Sequence, residues 1–319
     1  MPRLFEKRGY KIMFEGILPI YKERGITSHD VVFRARRILQ MKKIGHSGTL
    51  DPEVDGVLLL LLGGATKVSD YAMDLGKSYR AEVCLGVKTT TEDLTGEVVE
   101  ECKVTDISLD KIKEILKSMN GKIEQKPPIY SAIKVNGRKL YEYARRGQFD
   151  IEIPTRKVNI YNISFIENSE YYKDDKFYFS IDINCGKGTY VRTIATSIGE
   201  KLNLPSTMSK LTRTRSGEIT LDNCLTLSEV EQHLKDKTLE EKLLRKEYAL
   251  EEYKFVEIPK FRAKQVMNGL RFRKNQFPDY DFTDGIVFTY ENEAIAIYHL
   301  KDKDDELLSV KTTFPKIIE

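Results

Sequence analysis

The 319-residue sequence predicts a protein of mixed helices and strands, followed by a small β-rich unit at the C-terminal end. Apolar residues that alternate with polar ones indicate half-buried strands, and apolar stripes preceded by capping residues indicate amphipathic helices. After about Leu250 the chain starts again, with a short helical pattern and then "DGIVFTYENEAIAIYHL", which is typical of a hairpin.

The first half of the chain contains helix and strand patterns in turn. "GITSHDVVFRARRILQMKK" predicts a helix capped by Thr27 or Ser28, with Asp30 in its first turn. "YRAEVCLG" alternates and predicts a half-buried strand, for which we expect "GEVVEECKV" to be the partner. Another helix is expected between Ser108 and Asn120.

The pattern changes between Gln125 and Gln148. This segment has a diproline, an Asn-Gly turn, three tyrosines and, after Pro128, five Lys/Arg, without a long apolar period. We interpret it as a long insertion with little core of its own, and such loops are often functional. A strand at 177–183 and a helix at 191–202 follow, and the charged stretch 229–252 is expected to be a linker helix.

Composition indicates a protein that works in water. Charged residues make up 32% of the chain, mean hydropathy is −0.42, and no apolar run approaches the roughly 18–20 residues of a membrane span. The basic start "MPRLFEKRGYKIMF" has neither the apolar core nor the cleavage site of a signal peptide, so we expect a cytoplasmic protein. The four cysteines and four histidines lack metal-ligand spacing, so neither a zinc site nor a disulfide framework is expected.

Basic residues are concentrated in two segments of a chain whose net charge is only +3. Residues 121–160 carry nine Lys/Arg against four Asp/Glu, and residues 187–215 carry six against one. Such segments are typical of a surface that binds an anionic ligand, with nucleic acid the leading candidate. Solvated helix and strand faces would produce the same runs, so charge alone leaves both interpretations open.

Asp51 stands in a stiff loop, "KIGHSGTLDPEVDGVLLLLLGGATK", directly before a buried strand. Pro52 disfavours helical backbone at Asp51, and glycines on both sides let the chain bend sharply and approach a ligand. The loop therefore suits a carboxylate presented at the mouth of a strand. An ordinary surface turn uses the same residues, and the pattern does not separate the two.

The start of the predicted helix in "CGKGTYVRT" carries cations where acids are usual. Lys187 and Arg192 flank the end of the helix that the macrodipole makes positive. This arrangement favours a bound anion, which would be a phosphate or a carboxylate such as Asp51. Two solvated cations are the alternative.

Three other catalytic arrangements fit the sequence poorly. Asp51 and Asp55 could form a glycosidase pair, but the chain contains no tryptophan for a sugar-binding groove. "GGATK" lacks P-loop spacing, and Ser47 beside His46 lacks the context of a catalytic triad.

Four ordered motifs resemble the TruB family of tRNA pseudouridine synthases. "GHSGTLDPEVDGVL…GGATK" resembles the catalytic motif of the family, and "KSYRAEVCLGVKTTTEDLTGEV" resembles its tyrosine strand. "QKPPIYSAIKVNGRKLYEYARRG" resembles its RNA-gripping insertion, and "GKGTYVRTIATSIGEKL" its arginine motif. One departure is Glu23 in "YKERGITS", where the family usually has proline after its lysine.

The resemblance implies an enzyme that converts uridine 55 in the T-loop of tRNA to pseudouridine, with base flipping and without metal or cofactor. Asp51 would be the essential carboxylate, and it could attack the ribose, add to the base or remove a ribose proton. Tyr79 would stack on the uracil and could serve the C5 proton. Arg192 would pair with Asp51, keeping it ionised and aimed.

The remaining site residues also follow from the resemblance. Leu211 would pack beside the base and exclude water, and His46 would fill the space that the flipped uridine leaves. Lys22 and Tyr190 would line the site. The basic insertion would bind the T-arm.

The resemblance further implies an α+β fold: a mixed, mostly antiparallel sheet flanked by helices, with a small β-barrel-like domain of the PUA type at the C-terminus. We expect a catalytic domain at 1–250, with the insertion at about 122–155, and a PUA-like RNA-binding domain at 251–319. The partner would be tRNA, bound by a monomer without a membrane or metal. A non-catalytic RNA-binding protein or RNA chaperone on the same scaffold is the rival interpretation.

Overall fold

The structure is a computed structural model that describes residues 13–302, 304–314, 316 and 318. The expectation about a signal peptide concerns the basic segment at 1–12, which lies outside these residues. The first residues of the expected catalytic domain and the last residue of the expected C-terminal domain also lie outside them. Among the described residues, no helix is long and apolar enough to cross a membrane.

The helices and strands of the first half are β1 (Gly16–Lys22), α1 (Ser28–Ile38), β2 (Ile44–Ser47), β3 (Asp55–Leu62), α2 (Ser69–Asp74), β4 (Lys77–Leu85), β5 (Val87–Thr89), β6 (Val98–Glu101), α3 (Leu109–Ser118), β7 (Gly121–Gln125), β8 (Lys134–Val135), β9 (Arg138–Lys139) and α4 (Leu140–Ala144). Those of the second half are β10 (Arg156–Phe165), β11 (Tyr171–Lys173), β12 (Lys176–Cys185), α5 (Val191–Leu202), β13 (Ser206–Ser216), β14 (Ile219–Thr220), α6 (Leu227–Lys235), β15 (Lys254–Glu257), α7 (Lys260–Met267), β16 (Ile286–Tyr290), β17 (Glu293–His299) and β18 (Ser309–Thr313). Short 3-10 turns occupy Gly63–Val68, Leu221–Asn223, Leu239–Lys242, Lys246–Leu250 and Lys274–Gln276.

The main sheet has ten strands in the described part of the chain. Its central path runs β1-β3-β13-β4-β12-β10-β7, while β2 pairs with β3, β14 with β13 and β11 with β12. The pairings are antiparallel except for a short parallel contact of β13 with β3. This is the mixed, mostly antiparallel sheet flanked by helices that the sequence predicts.

Strand β3 is buried on both faces, which explains its unbroken run of apolar residues. Leu58, Leu60 and Leu62 pack with α1 and α6 on one side. Val57, Leu59 and Leu61 pack on the other side with α2 and with residues of the C-terminal sheet. Helices α3 and α5 cover the neighbouring strands β4, β12 and β10.

The predicted capped helices are confirmed. Thr27 is the N-cap of α1: its Oγ1 accepts from the Asp30 amide at 3.0 Å, and the Asp30 carboxylate accepts from the Thr27 amide at 2.8 Å. Ser108 caps α3 through a single hydrogen bond, in which its Oγ accepts from the Lys111 amide at 3.3 Å. Helix α5 has no side-chain cap and ends at Asn203, which adopts a left-handed conformation.

Two sequence expectations about the path of the chain are wrong. The segment containing β6 does not pair with β4, because β12 and β13 occupy the two edges of β4; β6 instead forms a separate hairpin with β5. The stretch 229–252 is not a linker helix, because only α6 and two 3-10 turns form there. Leu244 in this stretch exchanges two backbone hydrogen bonds with Ile17 of β1, at 2.7 and 2.9 Å.

The C-terminal strands form an open sheet rather than a barrel. Among the described residues the order is β15-β16-β17-β18, so the edge strands β15 and β18 do not meet. Four strands are too few to curl into a closed barrel with a filled interior. Helix α7 and a group of phenylalanines cover one face of this sheet instead.

Candidate active site

Asp51 is the first residue of a tight turn that is fixed on both sides. Its carbonyl accepts from the Val54 amide at 3.1 Å, with Pro52 in the second turn position, which favours its fixed φ. Leu50, just before, is buried, and its amide and carbonyl both bond Ser28 Oγ, at 2.9 and 3.2 Å. The Asp51 side chain itself is 48% exposed. The loop therefore holds its backbone still and leaves its carboxylate open.

Lys22 supports this turn from below. Its side chain is completely buried, and its ammonium donates to the carbonyls of Glu23, Pro52 and Val54 at 2.9, 3.2 and 2.7 Å. Burial lowers the pKa of this lysine. The structure thus places Lys22 beneath the turn rather than on the open side of the site.

Arg213 supports the turn from the other side, and sequence reasoning did not identify it. The side chain is 1% exposed; Nε donates to the Val57 carbonyl at 2.6 Å and Nη2 to the Gly48 carbonyl at 3.1 Å. In the sheet Arg213 stands between Gly56 of β3 and Tyr79 of β4. Strand alternation was the available signal, since Arg213 lies two residues after buried Leu211 on the same strand.

Arg213 also explains why residue 56 is glycine. A Cβ at this position would lie 2.2 Å from the Arg213 carbonyl oxygen, and the φ of +115° favours glycine. Strand β13 therefore approaches β3 so closely at residue 56 that no side chain fits there.

Arg192 forms an ion pair with Asp51, with 3.1 Å between Nη2 and Oδ2. The guanidinium is held by two carbonyls: Nη1 donates to Thr91 at 2.9 Å, and Nη2 donates to Tyr130 at 3.0 Å. The arginine side chain is only 6% exposed. A buried, fixed guanidinium thus binds an open carboxylate, and the two residues are paired as the resemblance implied.

Arg192 is positioned by the start of α5, where Tyr190 is the N-cap. The Tyr190 amide donates to Gln125 Oε1 at 2.7 Å, and Gln125 Nε2 donates to the Tyr190 carbonyl at 2.9 Å. Gln125 is the last residue of β7, so one side chain ties the sheet edge to the helix that carries Arg192. The Tyr190 side chain is half-buried.

Tyr79 of β4 and Leu211 of β13 lie on paired strands and share one apolar cluster. Tyr79 packs against a core cluster that contains Leu211 and Leu50. Burial raises the pKa of Tyr79, although the charge of Arg213 acts in the opposite direction. The phenol therefore stays protonated at neutral pH, where it can stack on a base or share a hydrogen bond.

His46 lies half-buried on β2, the strand that leads into the loop. Burial lowers its pKa, and the nearby charge of Arg213 lowers it further, so the imidazole is neutral at pH 7. Its Nδ1 has no hydrogen-bond partner among the residues that the structure describes.

Two of the sequence candidates lie outside this site. Lys187, expected with Arg192 to face a phosphate or a carboxylate, pairs with the Asp74 carboxylate at 2.8 Å on the surface, away from the Asp51 that Arg192 binds. Asp55 accepts from Tyr21 and Arg24, each at 3.1 Å, and so fastens β1 to β3 rather than forming a carboxylate pair with Asp51. No cluster that could hold a metal ion occurs in the described residues.

The insertion flanks the site through Tyr130, whose carbonyl binds Arg192. Beyond it, cations lie over tyrosine rings: Arg138 over Tyr143 at 5.2 Å and Arg145 over Tyr141 at 5.3 Å. Within the described part of the chain, no carboxylate pairs with the Lys/Arg residues between 126 and 146. Their charges are available to an anionic partner.

The chain matches two family models that adjoin at Arg192. Residues 36–191 match the TruB family pseudouridylate synthase N-terminal domain, and residues 192–250 match the tRNA pseudouridylate synthase B C-terminal domain.

Curated relatives extend over nearly the whole chain. A protein of Staphylococcus aureus strain MSSA476 called tRNA pseudouridine synthase B is 48% identical over 307 residues, 95% of this chain and 100% of that protein. One of the same name from Staphylococcus saprophyticus is 49% identical over 90% of this chain and 94% of its own length.

Solved structures show the same fold. A chain of a Cbf5-Nop10-Gar1 complex has a TM-score of 0.69 and 25% identity, covering 94% of this chain and 85% of that one. A chain of an archaeal box H/ACA Nop10-Cbf5 complex has a TM-score of 0.67 and 22% identity, over 95% and 89% of the two chains. From the matched domains and these relatives, the chain belongs to the TruB family of pseudouridylate synthases.

Proposed function

We propose that this protein isomerises uridine to pseudouridine in tRNA, at uridine 55 of the T-loop, with Asp51 as the essential carboxylate. The observation that carries the proposal is the ion pair in which buried Arg192 aims half-exposed Asp51. The 48% identical relatives named tRNA pseudouridine synthase B support tRNA as the substrate.

The reaction is an internal rearrangement. The C1′–N1 bond of the nucleotide breaks, the uracil turns, and a C1′–C5 bond forms. C5 then loses its proton while N1 gains one, so atoms and electrons balance without a further reactant. The task of the protein is to activate the glycosidic carbon or the base, to retain the freed uracil and to move one proton.

Asp51 would activate the nucleotide by one of three routes: attack on the ribose C1′, addition to the base, or removal of a ribose proton. All three need an ionised carboxylate with one orientation, and the Arg192 fork provides that orientation. Tyr79 and Leu211 would retain the uracil between an aromatic ring and an aliphatic side chain while water is excluded. Because Tyr79 is protonated, stacking and hydrogen bonding suit it better than removal of the C5 proton.

The target base must leave the stack of the T-loop before it can reach Asp51. His46, whose imidazole is neutral, would occupy the space that the base vacates. Lys22 would act indirectly, by holding the turn that carries Asp51. Tyr190 would contribute through the start of α5.

Affinity for tRNA would come from two basic surfaces. The insertion at about 122–155, within a catalytic domain at 1–250, would bind the T-arm through its exposed cations and tyrosines. The C-terminal sheet region at 251–319 would act as a PUA-like RNA-binding domain. The protein would work as a monomer in the cytoplasm, where tRNA is modified.

Purified protein with an unmodified tRNA transcript tests the proposal by pseudouridine mapping. A transcript with cytidine in place of uridine 55 is the matched control. We expect pseudouridine at position 55 of the first RNA and none in the second. Tight tRNA binding without any pseudouridine would support the rival interpretation of a non-catalytic RNA-binding protein or chaperone.

A further inference from the structure

Helix α1 and the residues after it carry an exposed basic surface away from the active site. Arg34, Arg37, Lys42 and Lys43 are all exposed. None of the four pairs with a carboxylate among the described residues. Several cations elsewhere are paired, such as Arg24 with Asp55 and Lys113 with Glu167. The α1 surface therefore carries an excess of positive charge without direct ion pairs.

The acidic side chains closest in the sequence or the packing have hydrogen-bond or ion-pair partners of their own, although Asp30 also attracts Arg34 one turn along the helix. The Asp30 carboxylate, one turn before Arg34, closes the cap of α1 on Thr27. Glu231 of α6, which lines a groove with Arg34 and Arg37, pairs with Lys235 at 3.3 Å.

An aromatic ring is part of this surface. Phe33 is 54% exposed, and the Arg37 guanidinium lies 5.9 Å from its ring centre. The ring faces a groove of about 480 Å³ whose lining residues are Phe33, Arg36, Arg37, Gln40, Met41 and Lys42. An exposed ring beside unpaired cations is the arrangement on which single-stranded bases stack while their phosphates are neutralised.

The surface is rigidly connected to the catalytic loop. Ser28, the first residue of α1, bonds both the amide and the carbonyl of Leu50. The 11 residues of α1 span roughly 16 Å, and the groove begins at Phe33, about halfway along the helix from the end that contacts the loop. Helix α1 packs on β1 and β3 at one end of the main sheet, whereas the insertion follows β7 at the other end. RNA bound at Asp51 would thus have basic protein surface on both sides.

We propose that the α1 surface, comprising Phe33, Arg34, Arg37, Lys42 and Lys43, is a second RNA-contact site for the same tRNA. It would bind the phosphates and one unstacked base of the segment that is folded against the T-loop, outside the T-arm itself. This inference rests on the proposed function, which supplies the tRNA.

The charge part is tested with an Arg34→Gln/Arg37→Gln variant. The control is Lys111→Gln/Lys117→Gln, which removes the same charge from exposed positions on α3.

Affinity for whole tRNA and for an isolated T-arm hairpin is measured between about 50 and 200 mM salt. For whole tRNA, the plot of log affinity against log salt should be shallower for the α1 variant than for wild type, by about two in slope. The affinity that the variant loses relative to wild type should therefore shrink about tenfold over this range. Hairpin binding should stay at the wild-type value. Equal slopes, equal losses on both RNAs, or an equal loss in the control would overturn the proposal.

The aromatic part is tested with Phe33→Ala and Phe33→Tyr. If a base stacks on the ring, alanine should weaken whole-tRNA binding by about fivefold or more, with little change in the salt slope. Tyrosine keeps an aromatic face and should restore binding. Wild-type affinity of the alanine variant would overturn the stacking contact.

Product analysis in the same samples separates the two proposals. Wild-type protein that forms no pseudouridine in either RNA would overturn the proposed function. The effect of the α1 variant on the salt slope for whole tRNA, compared with its effect on the slope for the hairpin, tests the α1 surface alone.

Discussion

Arg192 and Asp51 touch at 3.1 Å although their exposure differs widely, with 6% of the arginine side chain and 48% of the aspartate accessible. The carbonyls of Thr91 and Tyr130 hold the guanidinium in place without competing as anions. One side of the carboxylate is therefore fixed, and the other stays open to an incoming nucleotide. This division of tasks leads to the first two predictions.

Asp51→Asn should lower the rate of pseudouridine formation by at least about 10³-fold, because an amide can neither attack nor accept a proton as a carboxylate does. Affinity for tRNA should change by less than about threefold, since the basic surfaces are untouched. Single-turnover kinetics and filter binding measure the two quantities. Glu53→Gln, two residues away and exposed, is the control and should remain active. A rate of one tenth of wild type or more in Asp51→Asn would contradict the assignment.

Arg192→Lys should lower kcat about 100-fold, because one ammonium cannot bond Asp51, Thr91 and Tyr130 with the geometry of a planar fork. RNA affinity should hardly change. The same substitution at Arg80, whose ion pair with Asp182 is on the surface, is the control and should have little effect. Equal turnover by Arg192→Lys and wild type would show that the fork is dispensable.

Lys77 makes a prediction about pH. Burial lowers the pKa of this lysine to about 8, while its ammonium donates to the carbonyls of Met73 and Leu75. The unfolded chain holds the proton up to about pH 10.5, so it binds more protons than the folded protein between pH 8 and 10.5. The lysine therefore destabilises the fold below pH 8, and this cost is relieved as the pH rises.

Between pH 8 and 10.5, the free energy of unfolding of wild type should therefore rise by roughly 3 kcal/mol relative to that of Lys77→Met. Urea titrations at several pH values measure the difference. Lys111→Met, at an exposed position, should show no comparable trend. A constant difference between wild type and Lys77→Met would mean that Lys77 keeps its proton in the fold.

Gly56→Ala should destabilise the protein by about 3 kcal/mol or more, because the new Cβ would collide with the Arg213 carbonyl at 2.2 Å. Gly25→Ala is the matched control: its φ of +80° is also positive, but no atom lies within 4 Å of the added Cβ. This control should cost only about 1–2 kcal/mol from backbone strain. Thermal unfolding of both variants gives the comparison, and equal losses would rule out the contact with β13.

Patterns within one segment predicted the local structure well. The cap at Thr27, the alternating strand around Tyr79 and the helix that begins after Tyr190 all depend on neighbouring residues, and all are present. Strand partners depend instead on which distant segments can bury both faces of a strand. The β6 segment lies near β4 in the sequence, but its exposed valines could not cover that strand, and β12 and β13 do so.

The same distinction applies to the candidate site. Asp51 and Arg192 stand out because each has an unusual local context, a Gly/Pro loop and a helix start without acids. Arg213 has an ordinary context in "LTRTRSG", and its importance comes from the tertiary approach of β13 to β3. Thr91 and Tyr130 lie in loops, and no sequence pattern shows that their carbonyls come close to α5. Supporting groups of this kind become visible only when the fold is known.

The shared core on the second face of β3 has a consequence for how the protein melts and how it can be rebuilt. Val57, Leu59 and Leu61 pack in one cluster with residues of the C-terminal region, among them Val287, Ala294, Ile297 and Phe314. The two sheets should therefore unfold in a single calorimetric transition rather than two. An exchange of C-terminal regions between relatives should succeed only when this face of β3 is transplanted with them.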